Sequence, residues 1–137
     1  MVHENQVQVG EVMKLKISEA SVKSAVEARF QIAQNQGQLV YLRLNSGELI
    51  AMAGESRRRI KLCPTGTADF VVFQGMWTIL AALNHQTPFV CRVTFLEIKS
   101  STGKQSPDQK AFQQSVEQQN CRYYLVNDAS QLEEILK

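Results

Sequence analysis

The run Val93-Thr94-Phe95-Leu96, continued by Glu97-Ile98-Lys99, constrains the fold of this chain more than any other stretch. Its first four residues are β-branched, aromatic or aliphatic on both faces, the pattern of a central strand covered on each side. Successive strand side chains point to opposite faces, so Glu97 and Lys99 share one face while Ile98 enters the other layer. A carboxylate and an ammonium at the end of a buried strand cost desolvation unless they are paired, so chemistry is expected there. An isolated Glu-x-Lys is commonly just a solvated ion pair, and what separates the two readings is what else converges on it.

Two further stretches do so. Gly66-Thr67-Ala68-Asp69 opens the apolar run Phe70-Val71-Val72-Phe73, which puts an aspartate at the head of a second buried strand. Ser106-Pro107-Asp108-Gln109 opens a helix, with Ser106 as cap, Pro107 at the first position and Gln109 completing a capping box. Gln109, Phe112 and Val116 share the face that packs on the sheet, so the Gln109 amide is also directed toward Glu97 and Lys99.

These motifs together resemble the PD-(D/E)xK nuclease superfamily and, within it, the virus-type replication-repair nuclease (VRR-NUC) domain. Gly66-Thr67-Ala68-Asp69-Phe70 is similar to the family's Gly-x-Pro-Asp-Leu, and Phe95-Leu96-Glu97-Ile98-Lys99 to its Phe-x-Glu-(Val/Ile)-Lys. Gln105-Ser106-Pro107-Asp108-Gln109-Lys110-Ala111-Phe112 resembles its Leu-Ser-x-x-Gln-x-x-Phe. Ser18-Glu19-Ala20-Ser21-Val22 looks like its helix-opening glutamate, and Tyr41-Leu42-Arg43-Leu44-Asn45-Ser46-Gly47 like its Arg-x-Asn-(Ser/Thr)-Gly hairpin. The resemblance covers about residues 18–137. It departs from the pattern in two places: Ala68 replaces a proline, and Asp69 and Glu97 are unusually far apart in sequence.

The resemblance implies an α/β domain with a central mixed sheet flanked by helices, and an endonuclease that hydrolyses phosphodiesters in branched DNA, including four-way (Holliday) junctions. Asp69, Glu97, Lys99 and Gln109 are its implied catalytic residues. Asp69, Glu97 and the Ile98 carbonyl, with Glu19 as a further candidate, are the implied ligands for Mg²⁺ or Mn²⁺. Oxygen donors suit such hard cations, and no organic cofactor is expected. Arg43, Asn45 and Lys104 are expected on the DNA side, and a homodimer is implied by stand-alone members. A flap-directed or non-specific nuclease of a phage or mobile element, and a non-catalytic DNA-binding module, remain the alternatives.

A chain of 137 residues and 15.4 kDa is long enough for one core. A hydrophobic fraction of 44% argues against wholesale disorder, and a net charge of only +2 cannot by itself signal nucleic-acid binding. Any basic footprint must therefore come from clustering, and Arg57-Arg58-Arg59-Ile60-Lys61, just ahead of Asp69, is the densest cluster. Such runs are usually solvated loops, but carboxylates repel a polyanion, and nearby cations are needed to hold phosphates beside them. The three cysteines form no C-x-x-C pair, which fits neither a zinc knuckle nor a disulfide framework and suits a reducing cytoplasm. No apolar run approaches the ~18 residues of a membrane helix, and no signal peptide is expected.

Residues 1–17 read as an arm or accessory strand. Ser18 caps a helix whose face is drawn by Val22, Val26, Phe30 and Ala33 and which ends near Gln36-Gly37. Glu19 lies on that face, where it either complements the helix dipole or serves the metal site. Leu39–Leu44 and Glu48–Met52 are expected to form a hairpin about Asn45-Ser46-Gly47. The apolar segment Met76–Leu83, with Trp77, Ile79, Leu80 and Leu83, reads either as core or as a subunit contact, and His85 as a loop residue. Arg122–Val126 is a strand, and Ser130 caps a last helix that buries Leu132, Ile135 and Leu136.

Overall fold

The computed structural model describes residues 17–77 and 89–137. Helix α1 (Glu19–Asn35) starts at Ser18, whose hydroxyl accepts a bond from the Ser21 amide, and its buried stripe is Val22, Val26 and Phe30. The chain continues through β1 (Val40–Arg43), β2 (Glu48–Ala53), β3 (Ser56–Lys61), β4 (Phe70–Trp77) and β5 (Phe89–Ile98). Helix α2 (Pro107–Gln118), strand β6 (Arg122–Val126), a 3-10 turn (Ala129–Gln131) and the short α3 (Leu132–Ile135) complete it.

Four strands make one mixed sheet in the order β1-β4-β5-β6, antiparallel except for the parallel pair β5 and β6. The domain is therefore α/β, with β5 central as its apolar pattern requires. One sheet face, carrying Tyr41, Phe70, Val72, Leu96, Ile98 and Val126, is covered by Val22, Val26 and Phe30 of α1 and by Leu132 and Ile135 of α3. Phe30 meets Phe70 edge-on at 5.5 Å and Tyr41 at 5.3 Å. On the other face, Phe112 of α2 stacks edge-on against Phe95 at 5.3 Å and Tyr123 at 6.4 Å. Phe30 and Phe70 are fully buried within a largely aliphatic core, and full burial of a large apolar side chain contributes about 1.5–3 kcal/mol.

The expected hairpin is corrected by the pairing. Leu39–Leu44 does not turn back on Glu48–Met52: β1 joins β4, with Arg43 opposite Phe70, while β2 pairs with β3 as a separate two-stranded ribbon. The reason is that β1 presents Tyr41 to the core and gains more from the central sheet than from a hairpin partner with no buried face. The turn lies at Gly54-Glu55, where Gly54 at φ 61 supplies the left-handed first position of a tight hairpin. Arg57 to Lys61 accordingly form a strand and not a loop.

At the C-terminus, Asp128 and not Ser130 is the cap; Asp128 Oδ1 accepts from the Ser130 amide at 2.7 Å. Leu132 and Ile135 are buried as expected, and Leu136 packs against the core while partly exposed. Trp77 is 75% exposed and stacks on Phe89, so it is not core; Ile79, Leu80, Leu83 and His85 lie outside the described residues, as does the expected N-terminal arm up to residue 16. No helix among the described residues is long and apolar enough to cross a membrane.

Candidate active site

Asp69 precedes β4 and Glu97 lies near the end of β5; because these strands are antiparallel neighbours, the two carboxylates arrive at the same end of the sheet. Backbone geometry locks them together: Asp69 Oδ2 accepts the Ile98 amide at 2.8 Å, continuing the ladder past the last paired residues. Within a strand, the N–H and C=O of one residue point to the same neighbour, so the Ile98 carbonyl also faces the Asp69 side. The next amide, Lys99, bonds Val126 O on β6 at 2.9 Å, which holds the end of β5 from both sides.

Glu97 is only 3% exposed. Its Oε1 accepts from the Gln109 side-chain amide and lies 2.9 Å from Lys99 Nζ. Gln109 carries both roles that its position implies, since its Oε1 also accepts the Ser106 amide at 2.9 Å in the capping box. Burial pushes the Glu97 carboxyl above its ordinary value; the Lys99 ammonium pulls it down, and the charges of Asp69 and Glu19 push it up again. Tyr123, packed beneath α2, is raised to about 12, first by burial and then by the charges of Glu97 and Asp69, against a bond from Gln105. Its phenol stays protonated across the physiological range.

One residue of this cluster was missed by the sequence reading. Lys23 of α1 places Nζ 2.6 Å from Asp69 Oδ1. The signal was available: Lys23 is one helical turn after Glu19 and shares its face. Glu19 is half-buried there, and its charge is felt at Glu97, although no hydrogen bond joins it to either carboxylate among the described residues. Two carboxylates thus meet two ammonium groups, Lys23 with Asp69 and Lys99 with Glu97.

The loop leading into Asp69 is held by close approach. Gly66 has φ 90, and a Cβ there would lie 2.6 Å from the backbone carbonyl of Asp108 at the start of α2. Only glycine lets the Asp69 loop and the Gln109 helix come this near. Thr67 closes the turn by donating from Oγ1 to Pro64 O at 2.7 Å.

The other expected residues stand further out. Arg43 is paired with Glu27 at 3.1 Å on the adjacent helix, and the Asn45 carbonyl accepts the Cys63 amide at 2.9 Å at the root of the ribbon. Arg57, Arg58, Arg59 and Lys61 line the exposed β3, with Arg59 3.4 Å from Glu48, and Lys104 is exposed in the loop before α2.

The donor set that faces the site is all oxygen: the Asp69 and Glu97 carboxylates and the Ile98 carbonyl. Carboxylate and carbonyl oxygens are the donor type a hard divalent ion takes, but the carboxylates are already paired with Lys23 and Lys99, with which a bound ion would have to share them. Among the described residues no three His, Cys, Asp or Glu side chains cluster as a metal site. No family model matches the chain, and no curated protein or solved structure matches it.

Proposed function

We propose that this domain is a metal-dependent, structure-specific endodeoxyribonuclease of the PD-(D/E)xK type, similar to the VRR-NUC nucleases and acting on branched DNA. One observation carries the reading. Asp69 at the head of β4, the neighbouring pair Glu97 and Lys99 at the end of β5, and Gln109 of α2 converge at one sheet end, with Gln109 bonded to the buried Glu97. A buried carboxylate bound to a lysine and a glutamine contributes little to stability that apolar residues would not, which favours a chemical role.

Asp69, Glu97 and the Ile98 carbonyl would hold Mg²⁺ or Mn²⁺. When bound, such an ion supplies a water of lowered pKa and neutralises charge on the scissile phosphate. Lys99, largely buried beside Glu97, orients a water or donates to the phosphate oxygens as their charge grows. Gln109 fixes the Glu97 carboxylate so that its second oxygen stays directed into the site. Lys23 offsets the repulsion between Asp69 and the backbone phosphates. The ribbon cations Arg57, Arg58, Arg59 and Lys61 add attraction for the phosphates on the side of Asp69. The reading includes a homodimer, whose two sites would suit the symmetry of a four-way junction. The exposed pair Trp77 and Phe89, at the sheet end opposite Asp69, is the proposed contact.

The test is cleavage of linear, flapped and four-way DNA with Mg²⁺ or Mn²⁺, alongside the protein's mass in solution. Asp69→Asn, Glu97→Gln and Lys99→Ala are each expected to lower turnover at least about 10²–10³-fold while leaving the fold and DNA binding intact. Near-normal turnover of any of the three at saturating metal would remove the assignment.

A further inference from the structure

The ribbon of β2 and β3 has a face that neither the core nor the catalytic cluster uses. Its register opposes Ile50 to Arg59, Met52 to Arg57 and Glu48 to Lys61. Directly opposed residues lie on one face, so Ile50 and Met52 sit among Arg57, Arg59 and Lys61. Leu49, Ala51, Arg58 and Ile60 take the reverse face. Ile50 is 65% and Met52 61% exposed. On this face only Glu48 opposes the cations, and it is engaged by Arg59.

The ribbon is rooted at the catalytic end of the sheet. Leu44 N bonds Asp69 O at 2.7 Å, and the ladder continues through Cys63 N to Asn45 O at 2.9 Å and Gly47 N to Cys63 O at 3.1 Å. Six residues at about 3.4 Å each carry its tip roughly 20 Å from that root. A two-stranded ribbon is of a size that a DNA groove admits.

We infer that the Ile50, Met52, Arg57, Arg59 and Lys61 face binds DNA beside the cleavage site, and that Ile50 and Met52 insert at an unstacked base step. This rests on the nuclease reading and adds to it the element that selects branched DNA. The cations meet phosphates on either side, while the aliphatic pair needs an apolar surface that intact duplex does not offer. Opening a stacked step costs a few kcal/mol, a cost already met where strands part at a branch. A second copy of the same face is the poorer occupant, because it would bring three cations against three.

The experiment measures binding in a chelating buffer, to linear duplex and to a four-way junction with 2-aminopurine beside the branch. Ile50→Ser with Met52→Ser is expected to leave linear affinity within about twofold, lower the junction preference at least about fivefold and abolish the 2-aminopurine change. Replacing Arg57, Arg59 and Lys61 with alanine is expected to weaken both DNAs and flatten the salt slope by about 2–3. Leu49→Ser with Ile60→Ser, on the reverse face, keeps the preference if the face is assigned correctly. The inference is overturned if the Ile50 and Met52 variant keeps wild-type preference, if the reverse-face variant loses it equally, or if the wild type binds neither DNA. Cleavage by the wild type with Mg²⁺ separates the two levels. Cutting without dependence on Ile50 and Met52 sinks this inference alone, and ribbon-dependent binding without any cutting sinks the nuclease reading alone.

Discussion

The sheet end around Asp69 and the β2–β3 ribbon differ in almost every physical respect although they are joined by a continuous ladder of backbone bonds. At the first, charged groups are buried and paired, and each position is set by contacts from several elements. On the second, aliphatic side chains are exposed beside unburied cations, and only the two strands support one another. Charge is buried where several elements converge to pair it, and aliphatic surface is exposed where only two strands meet. The comparison teaches that convergence of several elements, and not residue type alone, decides which side chains one short chain buries.

The comparison breaks most visibly under truncation. Phe30→Ala, beneath the sheet, is expected to cost about 3–5 kcal/mol and lower the melting temperature by roughly 10–17 °C. Ile50→Ala on the ribbon should stay within about 0.5 kcal/mol, as for other surface changes. Thermal denaturation of the two variants checks this, and a comparable loss in both would mean that the ribbon is packed in solution.

Gly66→Ala should come next. A side chain at that left-handed position costs about 1–2 kcal/mol, and its Cβ meets the Asp108 backbone. The helix carrying Gln109 must shift away from Asp69, so cleavage should fall by more than stability does. Equal losses, read from turnover and urea midpoints on the same preparation, would make Gly66 merely a turn residue.

A smaller effect follows from the Glu97 carboxyl, which burial raises above 4.5. The folded state then keeps a proton that the unfolded chain has released. Stability of the metal-free protein should therefore fall as pH rises from 4.5 through the raised value, and Glu97→Gln should remove that slope. A carboxyl that titrates below 4.5 by NMR would mean that the pull of Lys99 outweighs burial, and would overturn the expected slope. The smallest change is expected for Lys23→Gln. Its pair with Asp69 is partly exposed, so the loss should be under about 1 kcal/mol and should shrink in high salt.

Much of the site was legible because its signals are local. Alternation alone put Glu97 and Lys99 on one face, and the Ser106 capping box fixed the rotation of α2 that aims Gln109 at the sheet. Lys23 is harder to read: its spacing from Glu19 puts it on the same helix face, but its partner Asp69 is named only by the packing of α1 across the sheet.

The linear order of residues by itself determined the helix stripe of Val22, Val26 and Phe30, the two apolar strands headed or ended by acids, and the caps. These depend on spacings of two and 3.6, which are properties of a single segment. Which strand pairs with which was decided only in three dimensions. β1 and β2 each satisfy a local hairpin pattern, but Tyr41 gains more against Phe30 and Phe70 than any turn can offer. Burial shared among distant segments outweighs a fraction of a kcal/mol of local preference, and that choice released β2 to build the ribbon with β3.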